Sequence, residues 1–298
     1  MIINGIAIAD TFAEAFGMRA TRLVITADTQ AWAETAGASL TGYATSVIVC
    51  GCEAGIERRL AASETPDGRP GIAVLLFAVS SKELQKQLQN RVGQCVLTTA
   101  GSACFSGLDA PEKLKLGDQL RYFADGFQIA KQIGERRYWR LPVMDGEFLC
   151  EDEVGLVRGV GGGNFLILAR SRAAALAAAE RAVVAMRRVP NIIMPFPGGV
   201  ARSGSKVGSK YKGLPASTND AYCPTLKGQT ATQLPPEAAA VLEIVIDGLA
   251  AEDIAAAMRA GIAAVCAEGA GSGVLRVTAG NYGGKLGPFH FHLRELMA

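Results

Sequence analysis

Histidine is scarce in this chain: 298 residues hold two, both in His290-Phe291-His292. A Ser-His-Asp triad has little to draw on, and no GxSxG elbow presents a serine. A strand would put both histidines on one face, but two ligands alone seldom make a metal site. Polar residues on a strand face are the simpler reading. CxxC and HExxH spacings are also missing, and Cys50-Gly51-Cys52 has no second cluster to complete it. The seven cysteines are odd in number and scattered, which predicts reduced thiols in a cytoplasm. No segment reaches the roughly 18 continuous apolar residues of a membrane helix. Glu180 and Arg181 break the alanine-rich run 173–185. The opening MIINGIAIADTFAEAF lacks the basic start and long apolar core of a signal peptide. Aromatic residues are 6% of the chain, without the stacking pattern of an RNA-binding sheet. A cytoplasmic protein is expected, with neither membrane nor nucleic acid as partner.

Charge is scarce as well, at 19% of residues, while hydrophobic residues make up 49%. That balance supports a sizeable core and excludes disorder. The length suits two domains or one large one. Net charge is +2. The stretch 198–224, GGVARSGSKVGSKYKGLPASTNDAYCP, sets Arg202, Lys206, Lys210 and Lys212 against Asp220 alone, so it carries +3 and the rest sums to −1. Basic charge is therefore local. A small anionic ligand fits that better than a bulk polyanion, which is met by charge spread over a face.

The order of elements suggests a duplication. Residues 23–26 read as a strand, 28–39 as a helix and 46–49 as a second strand. The same order recurs at 165–168, 171–188 and 191–194. Strand 71–79, helix 81–91 and strand 95–99 then match strand 241–246, helix 250–265 and strand 274–278. Both halves end on Thr-Ala-Gly, at 99–101 and 278–280. Each half thus reads βαβ, a connection, then βαβ. The expected fold class is α+β: duplicated ferredoxin-like (split βαβ) lobes. Helices would cover one face of each sheet and leave the other for a ligand or partner. Residues 117–153 alternate apolar and polar, with Asp125-Gly126 and Asp145-Gly146 as hairpin signals. They predict an inserted β-hairpin region on the first lobe. The expected division is 1–150 for that lobe and 151–298 for the second, the latter carrying a long loop insertion at about 197–238.

Two glycine-rich stretches fall short of nucleotide motifs. In Gly199-Val-Ala-Arg-Ser-Gly204-Ser-Lys206 a serine separates the second glycine from the lysine, and Val207 replaces the magnesium-binding hydroxyl of a P-loop. GVGGGN at 159–164 precedes a strand rather than following one, so it reads as a lobe linker.

The more useful oddity is an acid. In the strand 241–246 Leu242, Ile244 and Ile246 point one way, under the helices, and Glu243 points the other way beside Val241 and Val245. Its counterpart in the first half is about Ala73, so the fold does not demand an acid there. A carboxyl desolvated among valines has a raised pKa and can exchange a proton near neutrality. A solvated glutamate on an open sheet face would give the same pattern. Pattern alone leaves both readings open.

TFAEAF (11–16), ETPDGRPG (64–71), RVGQCV (91–96), PFPGG (195–199), SKVGSKY (205–211), LPASTNDAYCPT (214–225) and AGNYGGKLG (279–287) resemble the formylmethanofuran:tetrahydromethanopterin formyltransferase family. The similarity runs from residue 1 to about 296. It implies formyl transfer between the amine of methanofuran and a ring nitrogen of tetrahydromethanopterin, in one-carbon metabolism. These two coenzymes would be substrates, with no tightly bound cofactor and no metal. It further implies a homotetramer built as a dimer of dimers, and in the related methylotroph complex, partners of the formylmethanofuran hydrolase type. A non-catalytic scaffold subunit of such a complex is the competing reading.

The resemblance carries the family's catalytic glutamate to Glu243. It makes Arg202, Lys206 and Lys210, together with Lys212, candidates for the coenzymes' carboxylates and phosphate. Ser205 and Ser209 are candidate donors, and Tyr211 a candidate donor to the tetrahedral oxyanion or a stacking partner. Asn219, Asp220 and Tyr222 are candidates for the pterin's amide edge, although Asn219-Asp220 reads equally as a turn or cap. Asn281 and Lys285 are further candidates in a motif that would also serve to shape the turn before the last strand.

Overall fold

Runs of β-branched and leucine residues set the strands, and Ser or Thr caps start the helices that follow them. Thr29, Ser80 and Ser171 each accept a backbone N–H from the first turn of the next helix, satisfying donors that a helix N-terminus leaves open. The computed structural model describes all 298 residues. It is a mixed α+β structure in which most of the core is sheet. No helix is long and apolar enough to cross a membrane. The chain divides into two compact units, Met18–Gly159 and Met1–Gly17 with Val160–Ala298.

In the unit Met18–Gly159 the strand order is Glu53–Leu60, Gly71–Ala78, Phe12–Thr26, Ala103–Ser106, all antiparallel. Helices Gln30–Thr41 and Ser81–Arg91 cover one face. Leu23, Ile25, Ile72, Val74 and Leu76 meet Ala33, Ala36, Leu40, Leu84 and Leu88 in a fully buried core. Alternation sends Val24, Ala73 and Phe105 to the opposite face. The inserted strands are there: Ile129–Ile133, Arg136–Val143 and Gly146–Glu151, the last running parallel to Ala103–Ser106. The Asp145-Gly146 signal marks a hairpin, with Met144 and Asp145 in its turn and Gly146 opening the next strand. Asp125, at φ +50°, instead ends the short helix Arg121–Ala124.

Two expected strands are helical. Residues 46–49 fall on the short helix Val47–Cys50, capped by Ser46 and stopped by left-handed Gly51; the strand starts at Glu53. Residues 95–99 begin inside a widened helical turn, Val92–Val96, that continues Ser81–Arg91, and run on into a turn; the strand is Ala103–Ser106. Val92 and Val96 are both fully buried. Four residues apart, they share one helix face, and nothing between them breaks the helix. The two Thr-Ala-Gly triplets are consequently not equivalent. The first precedes a strand, whereas the second follows the strand Val274–Thr278.

In the other unit the order is Ile192–Ile193, Ala240–Gly248, Glu153–Ala169, Val274–Thr278, with helices Arg172–Met186 and Ala251–Cys266. Ala178, Ala179 and Ala182 are fully buried with Ile254, Met258 and Ile262. Small residues let the helices approach closely: a methyl added to Gly261 would lie 2.5 Å from Met186 Sδ. GVGGGN falls where the two units divide, but it is strand and not loop. It lies inside the strand Glu153–Ala169, with a register shift between Val160 and Gly163. Residues 1–17, expected in the lobe 1–150, belong to this unit. Ile6–Ile8 pairs parallel with Val274–Thr278, and Phe289–His292 pairs with residues 12–15.

Candidate active site

Glu243 lies opposite Leu166 in the sheet, and Leu166 sits five residues before the helix cap Ser171. In the first unit Ala73 lies opposite Val24, five residues before the cap Thr29. Glu243 and Ala73 thus occupy the same place in two like-ordered sheets. One arrangement is built with a methyl and the other with a carboxyl, so the acid is not a requirement of the sheet.

Ile244 and Ile246 are buried under the helices. Glu243 stands on the other face, half-buried, where Leu166, Leu168, Val241, Leu234 and Ala238 form a small apolar cluster. Burial pushes its carboxyl from the ordinary range up to about 7. No cation forms an ion pair with it to offset that shift. A carboxyl poised there is both a competent base and a competent acid near neutrality.

The basic insertion starts at this acid. Ala201 and Glu243 exchange backbone hydrogen bonds of 2.8 and 2.9 Å. Gly204 follows, and a methyl on it would lie 3.8 Å from Glu243 Oε2 and 3.7 Å from Asn219 Cβ. The segment expected to be irregular is then a β-hairpin, with Ser205–Val207 pairing antiparallel with Ala216–Thr218. The Gly208 N–H closes the loop onto the Pro215 carbonyl at 2.8 Å, and Ser217 Oγ–H donates to the Gly208 carbonyl at 2.7 Å.

A third segment completes the site. The loop 281–287 carries Tyr282, whose phenol is raised first by burial and then by the charge of Glu243. The Tyr282 hydroxyl donates to the Ser205 carbonyl at 3.3 Å. Beneath the loop lies Glu14, 1% exposed. Its carboxylate accepts N–H bonds from Tyr282 at 2.7 Å, Gly284 at 3.0 Å and Gly287 at 3.0 Å, and a further one from Leu286. Burial alone would raise the Glu14 pKa, but these four donors hold it below the ordinary carboxylate value.

The sequence-derived candidates divide on this geometry. Glu243, Ser205 and Asn219 come together around Gly204. Lys206 and Asp220 form an ion pair with each other, and Lys206 holds the Asp220 carboxyl below its ordinary range. Lys210 adds a weaker pull on Asp220. Arg202 is exposed, as are Lys210 and Lys212 near the hairpin tip. Tyr211 is also at the tip, 76% exposed, and its N–H donates to Ser209 Oγ at 3.1 Å. Tyr222 is half-buried against the Leu166–Leu168–Leu234 cluster. The Asn281 amide donates to Thr11 Oγ1 at 3.0 Å and to the Phe12 carbonyl at 3.2 Å, so it fastens the loop. Lys285 is exposed on that loop. His290 and His292 both pack against the Phe12 ring, with centroids 4.8 and 5.2 Å away, and no group of three or more His, Cys, Asp or Glu side chains stands together as a metal site.

Sequence reading missed Tyr282 and Glu14. Glu14 carries the same signal that singled out Glu243, an acid between apolar neighbours in a strand. Tyr282 was inside the AGNYGGKLG motif, hidden by its glycines.

Known proteins resemble this chain over its whole length. The formyltransferase from Methylococcus capsulatus named for formylmethanofuran and tetrahydromethanopterin is 67% identical over 298 residues, covering 100% of both chains. A component of the formyltransferase/hydrolase complex of Methylorubrum extorquens is 56% identical, covering 99% of this chain and 97% of its own. The crystal structure of that complex with methylofuran superposes with a TM-score of 0.97 at 55% identity, covering 100% of this chain and 99% of the other. The formyltransferase structure from Methanosarcina barkeri does so with a TM-score of 0.93 at 47% identity, covering 99% and 100%. The family model for formylmethanofuran-tetrahydromethanopterin formyltransferase matches residues 1–143, and that for the family's proximal lobe matches residues 146–296. With a glutamate of raised pKa at the root of a basic hairpin and family matches along both halves, the chain belongs to the formylmethanofuran–tetrahydromethanopterin formyltransferase family.

Proposed function

We infer that this chain is an enzyme of one-carbon metabolism that moves a formyl group between the amine of methanofuran and a ring nitrogen of tetrahydromethanopterin, with Glu243 as the proton carrier. The observation that carries the reading is Glu243 itself: a carboxyl with a pKa of about 7, at a place where the sister sheet has Ala73. The attacking pterin nitrogen forms a bond to the formyl carbon, and the carbonyl π pair moves to oxygen. The proton of that nitrogen passes to the Glu243 carboxylate. The C=O bond then re-forms, the bond to the methanofuran nitrogen breaks, and Glu243 returns the proton to that leaving amine. The same steps run backwards. No covalent enzyme intermediate is required, because holding both coenzymes together supplies much of the rate.

The cationic side chains Arg202, Lys206, Lys210 and Lys212 on the hairpin, with Lys285 on the neighbouring loop, suit coenzymes that carry carboxylates and phosphate. Ser205, Ser209, Asn219 and Tyr222 then line the approach to Glu243, and Tyr211 closes over it from the hairpin tip. We propose for the fold a duplicated ferredoxin-like pair of lobes, one within residues 18–159 and the other in 160–298 together with 1–17. The shared strand order and the Glu243–Ala73 correspondence support it. A cytoplasmic homotetramer follows the family resemblance. Association with hydrolase-type subunits is supported by the Methylorubrum extorquens relative, which belongs to a formyltransferase/hydrolase complex.

The test is a direct assay of the purified chain with formylmethanofuran and tetrahydromethanopterin, following the formyl-pterin by absorbance. Turnover that Glu243→Gln removes is the expected result. A folded, oligomeric chain that is silent with authentic coenzymes would overturn the reading in favour of a non-catalytic scaffold subunit.

A further inference from the structure

Glu14 is a buried acid without a cation. It is 1% exposed, and no Lys, Arg or His side chain forms an ion pair with it. Burying an unpaired carboxylate is costly. Apolar packing could hold a turn in this position at lower cost, so the charge calls for an explanation.

What it holds is one loop. A carboxylate has about four lone-pair sites, and four backbone N–H groups fill them, from Tyr282, Gly284, Leu286 and Gly287. Gly283 and Gly284 adopt φ of +70° and +73°, which lets the backbone turn its N–H groups inward as a concave nest for an anion. Gly287 is pressed flat on the strand below, where a methyl would meet the Ala15 carbonyl oxygen at 2.1 Å. Other ionisable side chains around the loop are His290, which pairs with Glu14 across the strand ladder, and exposed Lys285.

The first residue gripped is Tyr282, whose hydroxyl is bonded to the Ser205 carbonyl at 3.3 Å and whose phenol feels the charge of Glu243. Ser205 follows Gly204, the residue that faces the Glu243 carboxyl. A short chain of contacts therefore runs from Glu14 through the Tyr282 N–H, the Tyr282 hydroxyl and Ser205 to the mouth of the Glu243 site.

We propose that Glu14 is a positioning residue for formyl transfer, gathering the loop 281–287 so that Tyr282 pins the start of the basic hairpin beside Glu243. This rests on the formyl-transfer reading above. Glu14 touches neither coenzyme, and its effect passes through Tyr282.

The test uses the full-length chain in its native oligomer. Glu14→Gln replaces one acceptor oxygen with an NH2 that faces donor N–H groups. It should lower kcat at least tenfold while changing KM for either coenzyme less than threefold. Tyr282→Phe should lower kcat in the same direction, and the double variant should be no slower than the worse single variant. Hydrogen exchange of the segment 281–287 should rise in Glu14→Gln without a rise elsewhere, a readout that needs no coenzyme. If Glu14→Gln does not fold, Gly284→Ala loosens the same loop from its outer side and should give the same loss of kcat at unchanged KM. A folded Glu14→Gln with kcat within twofold of the parent overturns the assignment, as do losses that multiply in the double variant. A parent chain that is itself inactive with both coenzymes overturns the formyl-transfer reading, and this assignment falls with it.

Discussion

Gly204 faces the carboxyl of Glu243: a methyl at its Cβ position would stand 3.8 Å from Oε2, in ordinary contact with it. The glycine has φ +37°, in the left-handed region where a side chain is strained. The missing side chain leaves open space beside the acid. Gly204→Val should lower kcat/KM at least tenfold. Circular dichroism should be unchanged, because residues 202–204 lie outside the sheet core. Normal kcat/KM in this variant would show that the coenzymes approach Glu243 from another side.

Glu243→Gln should reduce turnover by about a hundredfold or more, in line with removal of a general acid–base group. Binding of either coenzyme, followed by fluorescence or calorimetry, should change little.

The raised pKa of Glu243 also fixes the sign of a pH effect. Its ordinary value is 4.5, and the folded value is about 7. Between those two the native state binds the extra proton, so this group's contribution to stability is full below pH 4.5 and is lost as pH rises through 7. Glu243→Gln should accordingly raise Tm at pH 8 relative to the parent and leave it nearly unchanged at pH 4. In the parent, kcat/KM should show an acid limb with an apparent pKa near 7. A Tm difference that is the same at both pH values would remove the case for a desolvated acid.

Lys206 and Asp220 are partners in the resting hairpin. Lys206→Met should raise KM for the anionic coenzymes several-fold and flatten the dependence of KM on ionic strength, since one cation is gone. The pair is half-exposed, so its loss should move Tm little. Asp220→Asn should leave Lys206 free and lower KM at low salt. Steady-state kinetics at two ionic strengths decide both outcomes.

Gly261 is a packing position, with Met186 Sδ 2.5 Å and Phe165 Cζ 2.9 Å from its missing Cβ. Gly261→Val should destabilise by about 1–3 kcal/mol through overpacking, read by urea denaturation. Activity per folded molecule should stay at the parent level.

Most of the helices and strands were legible in the sequence, because periods of 2 and 3.6 are local properties. Helix Ser81–Arg91 and strand Val274–Thr278 fall where their patterns put them. Residues 46–49 and 95–99 misled for a local reason of another kind. A short apolar run reads alike as strand or helix, and only Gly51 after one and the uninterrupted helix before the other decided the outcome. Glu243 was legible as an acid out of place, and the basic stretch as a local concentration of charge.

What the sequence by itself determined is therefore the α+β order of elements, the family and the odd acid on a strand. Tertiary structure alone decided what surrounds that acid. Glu14 and Tyr282 are 268 residues apart, and Tyr282 and Ser205 are 77 apart. Bonds over such separations arise only when sheet pairing has brought the segments together. Residues 1–17 join the second unit for the same reason, because strand partners are chosen by buried area and free backbone donors rather than by nearness along the chain.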